Sequence, residues 1–295
     1  MKRYALTTLL LSAALAQDTA DPLRQAQRLT REGNLEEAAT LYRQALEKAP
    51  DSFPANSGMG VLMDLMGRYT DARRYFSKAL EIAPAPQNKA QALRSMAMSY
   101  AFENDCRNAE KYESRLYDTY LAAPDFYQAG EMADELARVC LESGDLDSAY
   151  NWYKKGYDAG LREPGIKPER KDLWEFRWEH AQARIAARRG NMPEAQKHVA
   201  AAKAILDKGT NPAQAPFFPY LTGYVAFYGG DYKAALADLQ KANQNDPFIL
   251  SLIARTYEKL GERAQAVEYY RKVMRFTTHN PPNAFARPLA RKKLE

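Results

Sequence analysis

The chain has few of the residues from which catalytic and metal sites are built. Its 295 residues include three histidines, two cysteines and three tryptophans. His180, His198 and His279 are scattered and do not form the H-E-x-x-H spacing that binds zinc. The sequence also lacks a G-x-S-x-G nucleophile turn and a glycine-rich phosphate loop. We therefore predict a non-enzymatic protein with no catalytic residues, no metal site and no cofactor.

Long apolar runs and a strong charge bias are missing as well. After the first 16 residues, no stretch approaches the roughly 18 consecutive apolar residues of a membrane-spanning helix. The formal net charge is +5, and it falls to +3 when Lys2 and Arg3 are removed. A nucleic-acid binder usually concentrates its lysines and arginines on one face. We therefore predict neither a transmembrane segment nor a nucleic-acid partner.

The first residues have the pattern of an export signal. Lys2 and Arg3 precede an apolar run over residues 4–15, and the small-x-small sequence at 14–16 is followed by Gln17. This pattern predicts a signal peptide over residues 1–16 and a protein that is periplasmic or secreted. An N-terminal helix of a cytosolic protein is the alternative.

The two cysteines are too far apart for a CxxC redox motif. In an oxidising compartment, Cys106 and Cys140 could form one disulfide, which would close a loop of about 35 residues. Two buried free thiols are the other interpretation, and the sequence leaves both open.

What the chain does contain is a repeat. Two segments carry the same series of residues 34 positions apart. The two series are Gly33, Ala38, Tyr42, Ala45, Pro50 and Gly67, Ala72, Phe76, Ala79, Pro84. A fixed period of this length is typical of stacked helix-turn-helix units.

Looser copies follow along the chain. Each has a glycine or asparagine at the predicted turn and an alanine five residues later, where the two helices of the unit should cross closely. The predicted turn residues are Gly33, Gly67, Asn104, Gly144, Gly190, Gly230 and Gly261. The alanines are Ala38, Ala72, Ala109, Ala149, Ala195, Ala235 and Ala266.

This series resembles the tetratricopeptide repeat. The first two units match its pattern at nearly every position except the early tryptophan, where Pro22 and Asn56 stand. The resemblance implies an all-α, right-handed solenoid of about seven units. We assign residues 17–280 to the solenoid and residues 281–295 to a C-terminal capping helix, which would cover the apolar end of the stack.

The resemblance also implies that the first helix of each unit, helix A, lines a concave face. Arg177, Arg184 and Arg188 of the fifth unit would then lie beside the aromatic residues of the sixth. We predict that these side chains form a ligand groove for a peptide with acidic groups. The candidate groove residues are Arg177, Arg184, Arg188, Tyr220, Tyr224, Phe227 and Tyr228. Other concave positions hold Asp134, Arg138, His180 and Phe217, among others.

Buried aromatic residues and a solvated arginine stripe would account for the same pattern without a ligand. Some relatives grip a terminal carboxylate with lysine and asparagine at fixed concave positions, but those positions hold Leu23, Gln27 and Ser57 here. That function is therefore not carried over.

The function predicted from the sequence is a non-catalytic protein–protein interaction scaffold in a bacterial cell envelope. It would bind a peptide or protein partner in the concave groove. Two alternatives stay open: a structural subunit of an envelope assembly or secretion machine, and a binder of small ligands or glycans through the aromatic residues of the sixth unit. The inference from repeat to binding rests partly on the family, because a fold alone does not define a function.

Overall fold

The computed structural model describes residues 21–295, so the predicted signal peptide at 1–16 lies outside the described residues. In the described part of the chain the helices are connected by turns and loops, and there is no strand. Its contacts form two compact units, the first ending at Ser95 and the second beginning at Met96. The prediction of an all-α solenoid built from helix pairs is confirmed.

The first unit contains two helical hairpins. They are formed by α1 (Pro22–Glu32) with α2 (Leu35–Lys48) and by α3 (Phe53–Leu65) with α4 (Tyr69–Glu81). Helix α5 (Pro86–Ala101) follows and extends across the boundary between the two units.

The second unit continues with antiparallel pairs and ends in a single helix. Its helices are α6 (Cys106–Ala122), α7 (Phe126–Ser143), α8 (Leu146–Gly160), α9 (Pro168–Arg188), α10 (Met192–Asp207), α11 (Phe218–Gly229), α12 (Tyr232–Leu239), α13 (Pro247–Leu260), α14 (Arg263–Val273) and α15 (Pro281–Leu294). A short 3₁₀ helix (Pro212–Phe217) leads into α11.

The hairpin turns are fixed by left-handed backbone conformations. All seven predicted turn residues have positive φ, from 56° at Asn104 to 94° at Gly144. Glycine and asparagine tolerate this conformation better than other residues. After four of these turns, the next residue is an aspartate or asparagine. Its side chain accepts a hydrogen bond from a backbone N–H group in the first turn of the following helix. These residues are Asp105, Asp145, Asn191 and Asp231. Such a cap satisfies a donor that the first helical turn leaves free.

The helices of each hairpin cross at small residues, as the repeat predicts. Each of the seven alanines five positions after a turn residue is at most 2% exposed. A Cβ atom at Gly60 would overlap the ring of the buried Phe76. The small residue on one helix therefore leaves room for an aromatic ring from its partner.

The tryptophans belong mainly to the core. Trp174 is 1% exposed and its ring packs over Gly130 and Gly160, where a Cβ atom would overlap it. Trp152 is also buried. Trp178 is half-buried and stacks on Tyr157, with ring centroids 5.4 Å apart.

The two cysteines form a disulfide within the second unit. Cys106 is the first residue of α6 and Cys140 lies near the end of α7, and their Cα atoms are 4.7 Å apart. The sequence leaves open a disulfide and two buried free thiols, and the structure contains the disulfide.

Candidate functional site

The second unit winds tightly enough for its last helix to meet an early one. Helices α7, α9, α11 and α13 are the first helices of successive hairpins, and α9 contacts α11, which in turn contacts α13. Helix α15 packs on α13 and α14 and also touches α7. The face shared by α7, α9, α11 and α13, here called the inner face, is therefore partly enclosed.

A cavity of about 260 Å³ opens on the inner face. We call it the inner cavity. It is lined by Arg138, Phe176, Arg177, His180, Arg184, Gln214, Pro216, Phe217, Tyr220, Asn243, Asp246 and Ile249. These residues come from α7, α9, the 3₁₀ helix, α11, α13 and the loop before α13.

Three arginines line the inner cavity, and they differ in how their charge is balanced. Arg177 is paired with Glu131, and its Nη1 lies 3.8 Å from Oδ2 of Asp134. Arg184 is 5% exposed; its Nη2 donates to the Tyr153 hydroxyl at 2.9 Å and its Nε to the backbone carbonyl of His180 at 3.3 Å.

Arg138 is held by aromatic rings. Its guanidinium carbon lies 5.2 Å from the ring centroid of Phe248 and 5.8 Å from that of Phe285, distances typical of cation–π contacts. Within residues 21–295, the structure gives neither Arg138 nor Arg184 a carboxylate hydrogen-bond or ion-pair partner. The inner cavity therefore contains two guanidinium groups that are not paired with an acid.

Three polar atoms of the lining have unused hydrogen-bonding capacity. Nε of Arg138, Nε2 of His180 and the hydroxyl of Tyr220 are buried and have no hydrogen-bond partner. His180 is 8% exposed and Tyr220 is 6% exposed. Buried polar groups are nearly always hydrogen-bonded, because leaving one unpaired costs about 1–3 kcal/mol. Three unpaired groups around one cavity suggest a site that a polar ligand completes.

Burial and the nearby charges set the protonation states in the inner cavity. Burial lowers the pKa of His180 well below its usual value, and the charges of Arg184 and Arg138 lower it further. Burial also raises the pKa of Tyr220 to about 12, although the same two arginines oppose this shift. Near neutral pH, His180 is therefore uncharged and the Tyr220 hydroxyl keeps its proton.

The lining contains one carboxylate, Asp246, which is already engaged. Its Oδ1 accepts hydrogen bonds from the backbone N–H groups of Phe248 at 2.8 Å and Ile249 at 3.3 Å, so it caps the N-terminus of α13.

At the edge of the cavity, Phe217 has 49% of its surface exposed. An exposed ring beside a polar cavity is an arrangement suited to ligand contact.

Of the seven residues of the predicted groove, three line the inner cavity: Arg177, Arg184 and Tyr220. The others belong to a neighbouring network. Arg188 Nη1 lies 3.4 Å from Oε2 of Glu142 and from the Tyr224 hydroxyl, and that hydroxyl donates to Oε1 of Glu142 at 3.3 Å. The predicted groove residues are therefore divided between the inner cavity and this network.

Arg255 completes this network. Its Nη2 lies 3.4 Å from the Tyr228 hydroxyl, and its guanidinium carbon lies 4.7 Å from the ring centroid of Phe227. Tyr224 and Phe227 are buried. Arg188, Tyr224, Phe227 and Tyr228 therefore serve mainly to join α7, α9, α11 and α13 to one another.

Some residues of the inner cavity were not among the predicted groove residues. Arg138 and His180 stand at concave positions that the repeat pattern does identify. Gln214, Asn243 and Asp246 lie outside the α-helices, in the 3₁₀ helix and a loop, where α-helical spacing gives no signal. Within residues 21–295, no group of three or more His, Cys, Asp or Glu side chains could hold a metal ion. None of the helices there combines the length and apolar content of a bilayer crossing.

Comparison with known proteins agrees with the repeat pattern. Models of the tetratricopeptide repeat match residues 29–97 and residues 249–283. No curated protein sequence matches the chain.

A solved structure of a helical-repeat protein shows the same fold, and two others are reported with it as similar chains. A tetratricopeptide repeat protein from Parabacteroides merdae is 14% identical, with a TM-score of 0.51, over 94% of this chain and 98% of that one. Cut9 with Hcn1 of the APC/C hetero-tetramer gives 17% identity and a TM-score of 0.43, over 96% of this chain and 51% of that one. BtubC (BKLC) from P. vanneervenii gives 19% identity and a TM-score of 0.46, over 67% of this chain and 87% of that one.

The fold is that of an all-α helical-repeat protein, and two of its segments match the tetratricopeptide repeat. Repeats of this kind serve in general as protein–protein interaction scaffolds and are typically non-catalytic.

Proposed function

We propose that this chain is an exported, non-catalytic adaptor of a bacterial cell envelope that binds a peptide or protein partner at the inner face of its second unit. The observation that carries the proposal is the inner cavity, where unpaired buried polar atoms lie beside the half-exposed ring of Phe217. Partner binding would cover the ring and give these atoms hydrogen-bond partners.

Export rests on the sequence of residues 1–16 and is compatible with the Cys106–Cys140 disulfide, since disulfides persist in oxidising compartments. The intact mass of the protein recovered from its host tests this part. A chain that begins at Gln17 supports export, and a chain that keeps residues 1–16 contradicts it.

The binding proposal is tested by affinity purification of the tagged mature chain from its own host, followed by mass spectrometry. Two matched variants make the test specific, because Phe217 and Tyr150 are both exposed aromatic residues, at 49% and 37%, and only Phe217 lines the inner cavity. Phe217→Ala should reduce recovery of the partner by about tenfold, as loss of an anchoring aromatic residue does. Tyr150→Ala should leave recovery unchanged.

Equal recovery with both variants would reject the inner face as the binding site. Recovery of a fixed set of membrane proteins that is insensitive to Phe217→Ala would instead favour a structural subunit of an envelope assembly. Circular dichroism of both variants verifies that the helical content is retained.

A further inference from the structure

Two guanidinium groups of the inner cavity are not held by a hydrogen bond or ion pair to any acid within residues 21–295. Arg177 has Glu131 and Asp134 as its acidic partners, while Arg138 and Arg184 have none within residues 21–295. Asp246 is the one acid of the lining, and its Oδ1 caps α13. Arg138 and Arg184 therefore have no hydrogen-bonded carboxylate of the protein, and an anionic ligand would supply one.

The donors of the cavity favour a carboxylate among the possible anions. Arginine binds carboxylates with a planar, forked set of N–H groups. Nε of Arg138 and the Tyr220 hydroxyl are buried donors without an acceptor. A phosphate monoester carries nearly two negative charges and would be repelled by Asp246 of the same lining more strongly than a carboxylate would.

Part of the lining is apolar, and the space is small. Phe176, Pro216, Phe217 and Ile249 provide hydrocarbon surface next to the arginines. A cavity of about 150 Å³ accepts a benzene molecule, so about 260 Å³ holds a carboxylate together with a compact apolar group.

We propose that the inner cavity binds a carboxylate attached to a compact apolar group, held by Arg138, Arg184 and Tyr220. This inference deepens the proposed function and rests on it, since it concerns the same site. The carboxylate has two possible sources: the C-terminal residue of a partner polypeptide and a free small carboxylic acid.

Calorimetric titration of the mature chain tests the chemistry. The probes are N-acetyl-L-leucine and N-acetyl-L-leucinamide, which differ only in the carboxylate. The acid should bind, and the amide should bind at least about tenfold more weakly because it loses charge-assisted hydrogen bonds. Equal binding of the two probes, or no binding of the acid at millimolar concentration, would overturn the inference.

Two variants connect the binding to named atoms. Tyr220→Phe removes a buried hydroxyl that has no partner, so it should not lower the unfolding midpoint, yet it should weaken binding of the acid by about tenfold. Tyr150→Phe removes the hydroxyl of an exposed tyrosine outside the inner cavity and is the matched control with unchanged binding. Arg184→Gln should abolish the preference for acid over amide. A Tyr220→Phe protein that binds the acid like the wild type would contradict the assignment.

A hexapeptide ending in leucine, with a free or an amidated C-terminus, separates the two sources. Tighter binding of the free-carboxylate peptide than of N-acetyl-L-leucine supports the C-terminal residue of a partner. Binding of N-acetyl-L-leucine without binding of the peptide supports a free acid, so this inference would hold while the proposed adaptor function would fail. If neither carboxylate binds, the inference fails, and the Phe217→Ala purification still decides the adaptor function on its own.

Discussion

At the scale of single residues, the carboxyl group of Asp134 has an unusually high pKa. It lies 3.8 Å from Arg177, and 20% of its side chain is exposed. Burial raises its pKa to about 7; the positive charge of Arg177 opposes the shift and the negative charge of Glu131 adds to it. Asp134 therefore changes protonation near neutral pH in the folded protein.

This shift predicts that the contribution of Asp134 to stability falls as the pH rises from about 4 to about 7. In that window the unfolded chain has released the Asp134 proton while the folded protein retains it, so the Asp134 contribution to the unfolding free energy falls with increasing pH. Asp134→Asn is uncharged at all pH values. It should flatten this decline and make the protein more stable than the wild type at about pH 8. Urea unfolding at several pH values between about 4 and 8 measures the effect.

The matched control is Asp147→Asn, because the Asp147 side chain is 90% exposed. This variant should show the same pH dependence as the wild type. If Asp134→Asn loses stability with pH as steeply as the wild type does, the pKa assignment is wrong.

At the scale of helices, the crossing of α3 and α4 depends on the absence of a side chain at Gly60. Replacing glycine by alanine in a helix usually gains up to about 1 kcal/mol of stability. Here the new Cβ atom would overlap the ring of Phe76, which is 0% exposed and cannot move into solvent. Overpacking of a rigid core costs about 1–3 kcal/mol, so the steric effect exceeds the gain in helix propensity.

We therefore predict that Gly60→Ala lowers the unfolding free energy, with Phe76 as the cause. A double-mutant cycle with Phe76→Leu tests both statements in urea unfolding. The double variant should lose less stability than the sum of the two single variants, since the smaller side chain makes room for the new methyl group. Additive losses would show that the contact between Gly60 and Phe76 is not the origin of the effect.

The helical hairpins were predictable from the sequence, because their determinants are local. A turn residue such as Gly144 and a crossing alanine such as Ala149 are five positions apart and belong to one hairpin. The environment of an inner-face arginine depends instead on residues that are distant in sequence. The partner of Arg188, Glu142, is 46 positions away on another helix. Helical spacing placed Arg184 and Arg188 on one face, yet it did not show that Arg188 pairs with an acid while Arg184 does not.

At the scale of the whole molecule, the long-range contacts of the second unit decide which residues are available to a ligand. Arg138 of α7 packs against Phe248 of α13 and Phe285 of α15, helices more than 100 positions away in sequence. The contact of α15 with α7 brings the same helices together. The capping helix predicted at 281–295 therefore also supports the inner cavity, a role that follows from the winding of the unit.

The disulfide stabilises this same unit by joining α6 to α7. It links residues 34 positions apart, and closing a loop of that length in the unfolded chain is worth about 3–4 kcal/mol. We predict that the double variant Cys106→Ser/Cys140→Ser loses about this much unfolding free energy in urea. Hydrogen exchange should increase most in peptides from α6 and α7, since repeat units are coupled mainly to their neighbours. Wild-type protein treated with a reductant should reproduce the variant. If the variant unfolds at the same urea concentration as the oxidised wild type, the bridge does not stabilise the unit.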